Sequence, residues 1–246
     1  PITDLERTEL LYEILEELPS GHPLRKLSGN IYFDSGRLNR LFDMMKRENI
    51  SAQTIADAVD QQIADMPNNE AYIYKKSGKG YQKGDLKQSQ IDEDTRKLNQ
   101  TKAAAQLFDV YSEKMKQKGR YDFNDMIIWV LDVFKKNDVL LFSYQERHQF
   151  ILVDEFQDTN GAQSDLLHML TDFWEDPNIF VVGDDDQSIY EFQGARIRNI
   201  LDFYQRYKET IKVIVLPHNY RSSQLILDKA MATIDNNEQR LIKQLD

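Results

Sequence analysis

The sequence predicts an α/β protein in which a mainly helical segment, residues 1–120, precedes a parallel sheet in residues 121–246. In the first segment, apolar residues recur at helical spacing. In the second, three short apolar runs rich in β-branched residues, at 150–153, 179–182 and 213–216, are separated by helix-period segments. This pattern is typical of β-α-β-α-β connections. Because the runs are apolar throughout, we expect each strand to be buried on both faces by helices that pack against the sheet.

Helix start and stop signals support the helical segment. Thr3 and Glu6 have the spacing of a capping box, and Ser51 and Asp122 stand where N-caps are expected. Gly119 is expected to end the long helix that precedes Asp122. The apolar faces of these helices contain Leu11, Ile14, Leu15, Leu18, Leu38, Leu41, Phe42, Met45, Leu107, Tyr111 and Met115.

Residues 71–87 are basic and differ from the helices around them. Three tyrosines are interleaved with five lysines: Tyr72, Tyr74, Tyr81, Lys75, Lys76, Lys79, Lys83 and Lys87. Gly78, Gly80 and Gly84 exclude a regular helix, so we expect an exposed, flexible loop. It has two interpretations. It is either a surface that follows a nucleic-acid strand, with lysines on phosphates and tyrosines on bases, or the solvated tip of a hairpin.

Charge and composition exclude several classes of protein. Lys and Arg number 31 against 41 Asp and Glu, and the net charge of −10 argues against binding polyanions through bulk charge. With no cysteine and only four scattered histidines, disulfides, thiolate nucleophiles and zinc–thiolate sites are excluded. No apolar stretch approaches the roughly 18 residues that a membrane span needs, and no N-terminal signal segment is evident. We therefore expect a cytoplasmic protein with no membrane contact.

Each of the three apolar runs leads directly into a polar cluster. The clusters contain Asp154, Glu155, Gln157 and Asp158, then Gln187, then Tyr220 and Arg221. Open α/β sheets bind ligands at the carboxyl ends of their strands, so we expect the clusters to converge. An apolar strand followed by Asp-Glu suits a nucleotide hydrolase, in which the Asp anchors Mg²⁺ and the Glu activates water. Taken singly, these residues have other interpretations. Asp158 or Thr159 could cap the next helix, Arg221 could form a surface salt bridge, and Tyr220 could lie at the edge of the core.

Three segments in order carry a resemblance to a known family. ILVDEFQDTN, VVGDDDQSIYEFQGA and LPHNYRSS resemble motifs II, III and IV of the UvrD/Rep/PcrA group of superfamily 1 DNA helicases. GRYDFNDMI is similar to the stretch that precedes motif II in these enzymes. Residues 1–118 resemble the family only loosely, in the manner of a helical insertion that touches single-stranded DNA. The resemblance implies a partial RecA-like P-loop NTPase sheet with a mostly helical inserted domain.

The resemblance also implies a role for each acidic or amide residue at the strand ends. Asp154 would hold Mg²⁺, and Glu155 would activate the hydrolytic water. Gln157 and Asp158 would belong to the same nucleotide-binding edge. Gln187 would sense the terminal phosphate of ATP and couple its loss to movement on DNA.

Four further residues take roles from the same resemblance. Tyr190 and Phe192 would contact DNA, with Phe192 stacking on a base. Tyr220 would stack on the adenine of ATP. Arg221 would approach the terminal phosphate and stabilise charge in the transition state, which suits a planar guanidinium that stays cationic.

Two departures from the family pattern concern its phosphate contacts. Gln193 stands where these helicases usually carry an arginine near DNA. No G-x-x-x-x-G-K-[ST] phosphate loop occurs, and Ser77-Gly78-Lys79-Gly80 lacks its spacing and follows no predicted strand. In the family pattern, the strand that bears this loop would lie between the second and third predicted strands. Motifs V and VI of the second motor domain are also absent. We therefore expect a piece of a larger helicase that, by itself, turns over little ATP.

Three functions are consistent with these sequence features. The favoured one is a fragment of an ATP-driven helicase whose partners are single-stranded DNA, duplex DNA and the remainder of the parent protein. The second is a non-catalytic module that only docks on DNA or a repair partner. The third is a magnesium-dependent phosphohydrolase that uses the acidic edge on another substrate. The joint presence of Asp154, Glu155, Gln187 and Arg221 favours the motor, because a pure binding module does not need them together.

Overall fold

The computed structural model describes residues 1–25, 29–187 and 197–236. The chain divides into two compact units, Pro1–Met126 and Ile127–Asp246. This division lies six residues beyond the boundary expected from the sequence, because the first turn of the fifth helix packs with the first unit. In the described residues, no helix is long and apolar enough to cross a membrane.

The first unit is helical. Its helices are α1 (Asp4–Glu16), α2 (Ser35–Arg47), α3 (Ala52–Asp65), α4 (Gln88–Gln117) and the start of α5 (Phe123–Lys136). Two short 3-10 helices, Met66–Asn68 and Glu70–Tyr72, follow α3. The core forms where the apolar faces of α1, α2 and α4 meet, and its most buried large side chains include Leu10, Ile14, Leu38, Phe42, Met45 and Tyr111. The predicted apolar faces are therefore confirmed as the core of this unit.

The predicted helix ends are confirmed in atomic detail. Thr3 and Glu6 form a reciprocal capping box at the start of α1, and the Ser51 hydroxyl accepts a hydrogen bond from the N–H of Thr54. The Asp122 carboxylate accepts a 3.0 Å hydrogen bond from the N–H of Asp125 at the start of α5. Gly119 takes φ 64° just after α4, a left-handed conformation that glycine adopts without steric cost.

The second unit combines helices with a small sheet. Its elements after α5 are α6 (Asp138–Arg147), β1 (Ile151–Val153), α7 (Gly161–Thr171), β2 (Ile179–Val181), α8 (Ile197–Arg206) and α9 (Gln224–Ile234). Short 3-10 helices, Phe156–Asp158 and Asp185–Gln187, follow the two strands. Helices α6 and α9 were not predicted from the sequence. Asn137, whose side chain accepts from the N–H of Leu140, is the start signal that would have indicated α6.

Strands β1 and β2 are parallel neighbours, with Ile151 opposite Ile179 and Val153 opposite Val181. These four side chains pack against a core made by Phe156, Leu167 from α7 and Phe203 from α8. On the other face, Leu152 is 76% exposed and Phe180 is 54% exposed. The expectation of burial on both faces is therefore wrong in the described residues, because α7 and α8 cover the same face.

The third predicted strand, residues 213–216, is not a strand in the structure. The described sheet has two strands, and the side chains of this run are largely exposed, with Leu216 at 80%. A strand needs a neighbour that completes its hydrogen-bonded ladder, and within the described part of the chain nothing pairs with this run. The observed order is thus β-α-β-α, followed by an irregular apolar segment and α9.

Candidate functional site

The acid pair Asp154 and Glu155 follows directly after β1, and both side chains are exposed. Glu155 has φ 49° and ψ 45°, a left-handed conformation that is rare for a residue with a Cβ atom. Asp154 supports this turn, because its Oδ1 accepts a 2.9 Å hydrogen bond from the N–H of Glu155. Backbone strain of this kind, of order 1–3 kcal/mol, concentrates at functional sites. The turn directs both carboxylates away from the core at the end of the strand.

Gln157 connects the ends of the two strands. Its side chain is buried, its Nε2 donates a 2.7 Å hydrogen bond to Oε2 of Glu155, and its Oε1 accepts a 3.1 Å hydrogen bond from the N–H of Asp184. A Cβ atom on Gly183 would lie 2.8 Å from Oε1 of Gln157, so only glycine allows this approach. The protein itself thus uses both ends of the amide, which orients Glu155.

Asp184 organises the turn after β2 and joins Gln187 to the same edge. Its Oδ2 accepts a 2.7 Å hydrogen bond from Nε2 of Gln187, and its Oδ1 accepts one of 3.1 Å from the N–H of Asp186. A continuous chain of hydrogen bonds therefore runs from Glu155 through Gln157 and Asp184 to Gln187. Asp184 was not predicted from the sequence to have a role of its own. Its position at the first residue of a turn, where aspartate often bonds to backbone N–H groups, could have indicated this one.

Asp158 lies at this edge with an exposed carboxylate that makes no hydrogen bond to the described residues. The alternative in which Asp158 or Thr159 caps the next helix is wrong. Asn160 is the N-cap of α7, in a capping box with Gln163. Asn199 of α8 fixes the same loop, because its Nδ2 donates a 2.8 Å hydrogen bond to the carbonyl of Thr159. The contact of Asn199 with this loop was not predicted, because no local sequence pattern indicates it.

In the part of the chain that the structure describes, no hydrogen bond or ion pair joins the third polar cluster to the first two. Oδ1 of Asn219 accepts hydrogen bonds of 2.9 Å from the N–H groups of Arg221 and Ser222, which forms a local turn. Tyr220 is 93% exposed, and no hydrogen bond or ion pair joins its side chain or that of Arg221 to the described residues of the edge formed by β1 and β2. The expected convergence of three clusters is thus seen for two. The physical reason is that the run at 213–216, which would carry the third cluster into place, is not paired with the sheet. Tyr190 and Phe192, the predicted DNA contacts, lie outside the described residues.

The edge suits a divalent cation that is shared with a phosphate ligand. In the described part of the chain, no group of three or more histidines or carboxylates could hold a metal by protein ligands alone. Mg²⁺ differs in that it usually takes one or two carboxylates and completes its shell with water and substrate phosphates. Asp154, exposed and with only one oxygen engaged by the N–H of Glu155, fits that requirement.

Comparisons with known proteins identify related sequences. The family model described as UvrD/REP helicase N-terminal domain matches residues 22–208, which include most of the helical unit as well as both strands. The chain is 39% identical over 141 residues to the ATP-dependent DNA helicase PcrA of Leuconostoc citreum, covering 57% of this chain and 18% of the relative. It is 42% identical over 140 residues to DNA helicase II of Haemophilus influenzae, covering 56% and 19%.

The PcrA helicase of Staphylococcus aureus gives a similar result, with 40% identity over 141 residues that cover 57% of this chain and 19% of the relative. The chain therefore spans less than a fifth of the length of these curated relatives in the aligned region.

Proposed function

The chain belongs to the UvrD/REP helicase N-terminal domain family, and on that premise we propose that it is part of an ATP-dependent DNA helicase. The complete motor moves along single-stranded DNA and separates duplex DNA by hydrolysing Mg-ATP. The observation that carries the proposal is the hydrogen-bond chain Glu155–Gln157–Asp184–Gln187. It joins a carboxylate suited to activating water with a glutamine suited to contacting a phosphate, at the strand ends where α/β proteins bind nucleotides.

The residues at this edge have distinct tasks in the proposed reaction. Asp154 holds Mg²⁺, which when bound neutralises charge on the terminal phosphates of ATP. Glu155, held by Gln157, orients the attacking water and accepts its proton. Gln187 contacts the terminal phosphate, and its bond to Asp184 transmits the loss of that phosphate to the turn after β2. Asp158 contributes a further carboxylate to the nucleotide-binding edge.

The exposed apolar surfaces of the second unit support a sheet that is larger than its two described strands. Leu152 and Phe180 on the open face of the sheet, and the run at 213–216, are apolar and exposed. In the proposed RecA-like arrangement, a strand that bears a phosphate loop pairs between β2 and this run. That pairing places Tyr220 against the adenine and Arg221 near the terminal phosphate. Tyr190 and Phe192 then contact single-stranded DNA.

A non-catalytic module that binds DNA or a partner protein is the second candidate. It is favoured by the lack of a hydrogen bond or ion pair between Arg221 and the described residues of the edge, and by the absence of a G-x-x-x-x-G-K-[ST] segment from the sequence. Without a loop to cradle the β- and γ-phosphates, the chain by itself should turn over little ATP. The phosphohydrolase alternative has no support beyond the acidic edge.

A chimeric helicase tests the proposal. Residues 121–228 would replace the matching segment of the Haemophilus influenzae DNA helicase II, which supplies the rest of a motor. We expect DNA-stimulated ATP hydrolysis by the chimera. We also expect a loss of about 10²–10⁴-fold in its kcat on Glu155→Gln, since general base catalysis contributes about that much. Glu175→Gln, an exposed carboxyl outside the edge, is the matched control and should leave kcat unchanged. Equal hydrolysis by the chimera and its Glu155→Gln variant would contradict the proposal.

A further inference from the structure

Residues 73–87 form a basic hairpin in the first unit, which agrees with the hairpin interpretation of this segment and not with an irregular flexible loop. Its arms are joined by antiparallel bridges between Ile73 and Leu86 and between Gly78 and Tyr81. The N–H of Tyr74 donates a 2.9 Å hydrogen bond to the carbonyl of Asp85, and the N–H of Gly84 donates one of 2.9 Å to the carbonyl of Tyr74. The backbone of this segment therefore has a defined shape that can present side chains in fixed positions.

Two tyrosines stiffen the basic hairpin from within. The rings of Tyr74 and Tyr81 are stacked, with centroids 3.7 Å apart and planes 14° apart. Gly78 packs so closely on this pair that a Cβ atom there would lie 2.4 Å from the ring of Tyr81. Gly80 takes φ 90° at the tip, where only glycine turns the chain without strain. The tyrosines thus stabilise one another across the hairpin, and each ring covers one face of the other.

The hairpin concentrates positive charge in an acidic chain. Residues 73–87 hold five lysines and one aspartate, a local charge of +4, whereas the whole chain carries −10. Lys76, Lys79 and Lys83 are exposed, and their ammonium groups make no hydrogen bond or ion pair with the described residues. Such unpaired like charges repel one another, so their clustering costs stability unless an anion binds them.

The chemistry of this surface favours a repeating array of phosphates. Lysine binds phosphate through one compact charge. Unlike the planar guanidinium of arginine, it does not form paired, directional hydrogen bonds to a particular group. The arms span about 17 Å at the usual rise per residue of a strand. Duplex DNA presents about ten backbone charges over that length. Because each tyrosine ring covers one face of the other, the pair offers less ring surface for base stacking, which would favour single strands. The segment from Lys75 to Gly84 has no apolar side chain besides Tyr81, so it has nothing to insert into a lipid layer.

We propose that the basic hairpin binds the phosphate backbone of double-stranded DNA through Lys76, Lys79 and Lys83, independently of base sequence. The choice of DNA as the polyanion rests on the proposed function. The site is separate from the nucleotide-binding edge and belongs to the other compact unit. It binds the duplex electrostatically, while stacking contacts elsewhere in the protein hold the single strand.

Fluorescence anisotropy with the purified chain tests this proposal. The probes are a labelled 20-base-pair duplex and a labelled single strand of the same sequence, titrated between 50 and 200 mM salt. The variant is Lys76→Gln with Lys79→Gln and Lys83→Gln. We expect duplex affinity to fall at least about tenfold at 50 mM salt and the salt slope to shrink by about 2–3, close to 0.9 per lost phosphate contact. Single-strand affinity should fall less.

Two matched variants distinguish an effect of the hairpin lysines on duplex affinity from effects of net charge and of misfolding. Lys135→Gln with Lys136→Gln and Lys212→Gln removes the same charge from exposed sites in the other unit, and we expect duplex affinity within about twofold of the parent. Replacing the three hairpin lysines by arginine keeps the charge and should restore duplex binding. Circular dichroism checks that each variant keeps its helical signal.

The proposal would be overturned by equal losses in the two glutamine variants, by a larger loss for the single strand than for the duplex, or by no loss at all. It would also be overturned if the hairpin lysines instead govern binding to vesicles of phosphatidylserine and phosphatidylcholine. None of these results depends on ATP hydrolysis by the chimera. Failure of the hairpin proposal and failure of the proposed motor function are therefore distinguishable.

Discussion

The buried amide of Gln157 donates a 2.7 Å hydrogen bond to the carboxylate of Glu155 and accepts one of 3.1 Å from the backbone of Asp184. One side chain thus sets the orientation of an exposed acid after β1 and the course of the turn after β2. The amide is suited to this task because it has a donor end and an acceptor end, and the two sites that it joins need one of each.

Removing this amide should destabilise the second unit. Gln157→Leu keeps most of the buried volume but leaves the N–H of Asp184 without its partner and frees Glu155. We expect the free energy of unfolding to fall by about 1–3 kcal/mol, the usual cost of an unsatisfied buried polar group. Urea denaturation measures it, with Gln205→Ala on the exposed side of α8 as a control that should change it by less than about 0.5 kcal/mol. An unfolding curve for Gln157→Leu that matches the control would show that the amide does not join the strand ends.

Gly183 should tolerate no side chain. In Gly183→Ala the new Cβ atom would lie 2.8 Å from Oε1 of Gln157 and 3.3 Å from two backbone nitrogens, so the turn must shift. We expect a loss of about 1–3 kcal/mol in the free energy of unfolding, as for other overpacked sites. Gly36→Ala in α2 meets nothing within 4 Å, and alanine favours a helix, so this control should be neutral or slightly stabilising. Equal stability of the two variants would rule out the close approach at Gly183.

Lys46 should be among the most sensitive charged residues of the first unit. Its side chain is 3% exposed, and its Nζ lies 2.9 Å from Asp122 and 2.6 Å from Asp125. Lys46→Ala leaves Asp125 without its buried counter-charge and Asp122 with only Arg7, 3.6 Å away, so we expect the free energy of unfolding to fall by about 3–5 kcal/mol.

The matched control for Lys46 is Lys102→Ala, which removes a 2.6 Å ion pair with Asp60 nearer the surface. An exposed pair contributes only about 0–1 kcal/mol, so this variant should unfold at nearly the parent urea concentration. Similar losses in the two lysine variants would contradict the buried character of the Lys46 cluster.

Glu6 should make the first unit sensitive to acid. Hydrogen bonds from the Arg120 side chain, followed by those from the backbone N–H and the hydroxyl of Thr3, lower the pKa of Glu6 from 4.5 to about 2. A carboxyl with a lowered folded pKa stabilises the protein above its unfolded pKa, and that stability is lost as pH falls toward the folded value.

We therefore expect Glu6→Gln to lower Tm at pH 7 and to flatten the fall in Tm between pH 4.5 and about 2. Thermal melts followed by circular dichroism at several pH values measure both effects. Glu9→Gln on the same helix, an exposed carboxyl without an ion pair to the described residues, should keep the parent profile. A parallel downward shift of the Glu6→Gln curve at every pH would indicate lost packing and not lost charge.

Much of the helical unit was predictable because its signals are local. Thr3, Ser51 and Asp122 cap helices with side chains that reach only three residues along the chain, so a pattern of spacing is sufficient to find them. The faces of α1, α2 and α4 follow from the helical repeat. By contrast, Lys46 and Asp122 are 76 residues apart, and no local pattern predicts that they meet.

The sequence by itself determined the helices of the first unit, the two parallel strands and the acidic and amide residues at their ends, because each depends on neighbours in the chain. Only the tertiary structure decided that Gln157 and Asp184 connect Glu155 to Gln187, that the open face of the sheet is exposed, and that residues 213–216 stay unpaired. These outcomes depend on which segments lie side by side in space. An apolar run becomes a strand only when another backbone offers it hydrogen bonds, and that is a property of the partner as much as of the run.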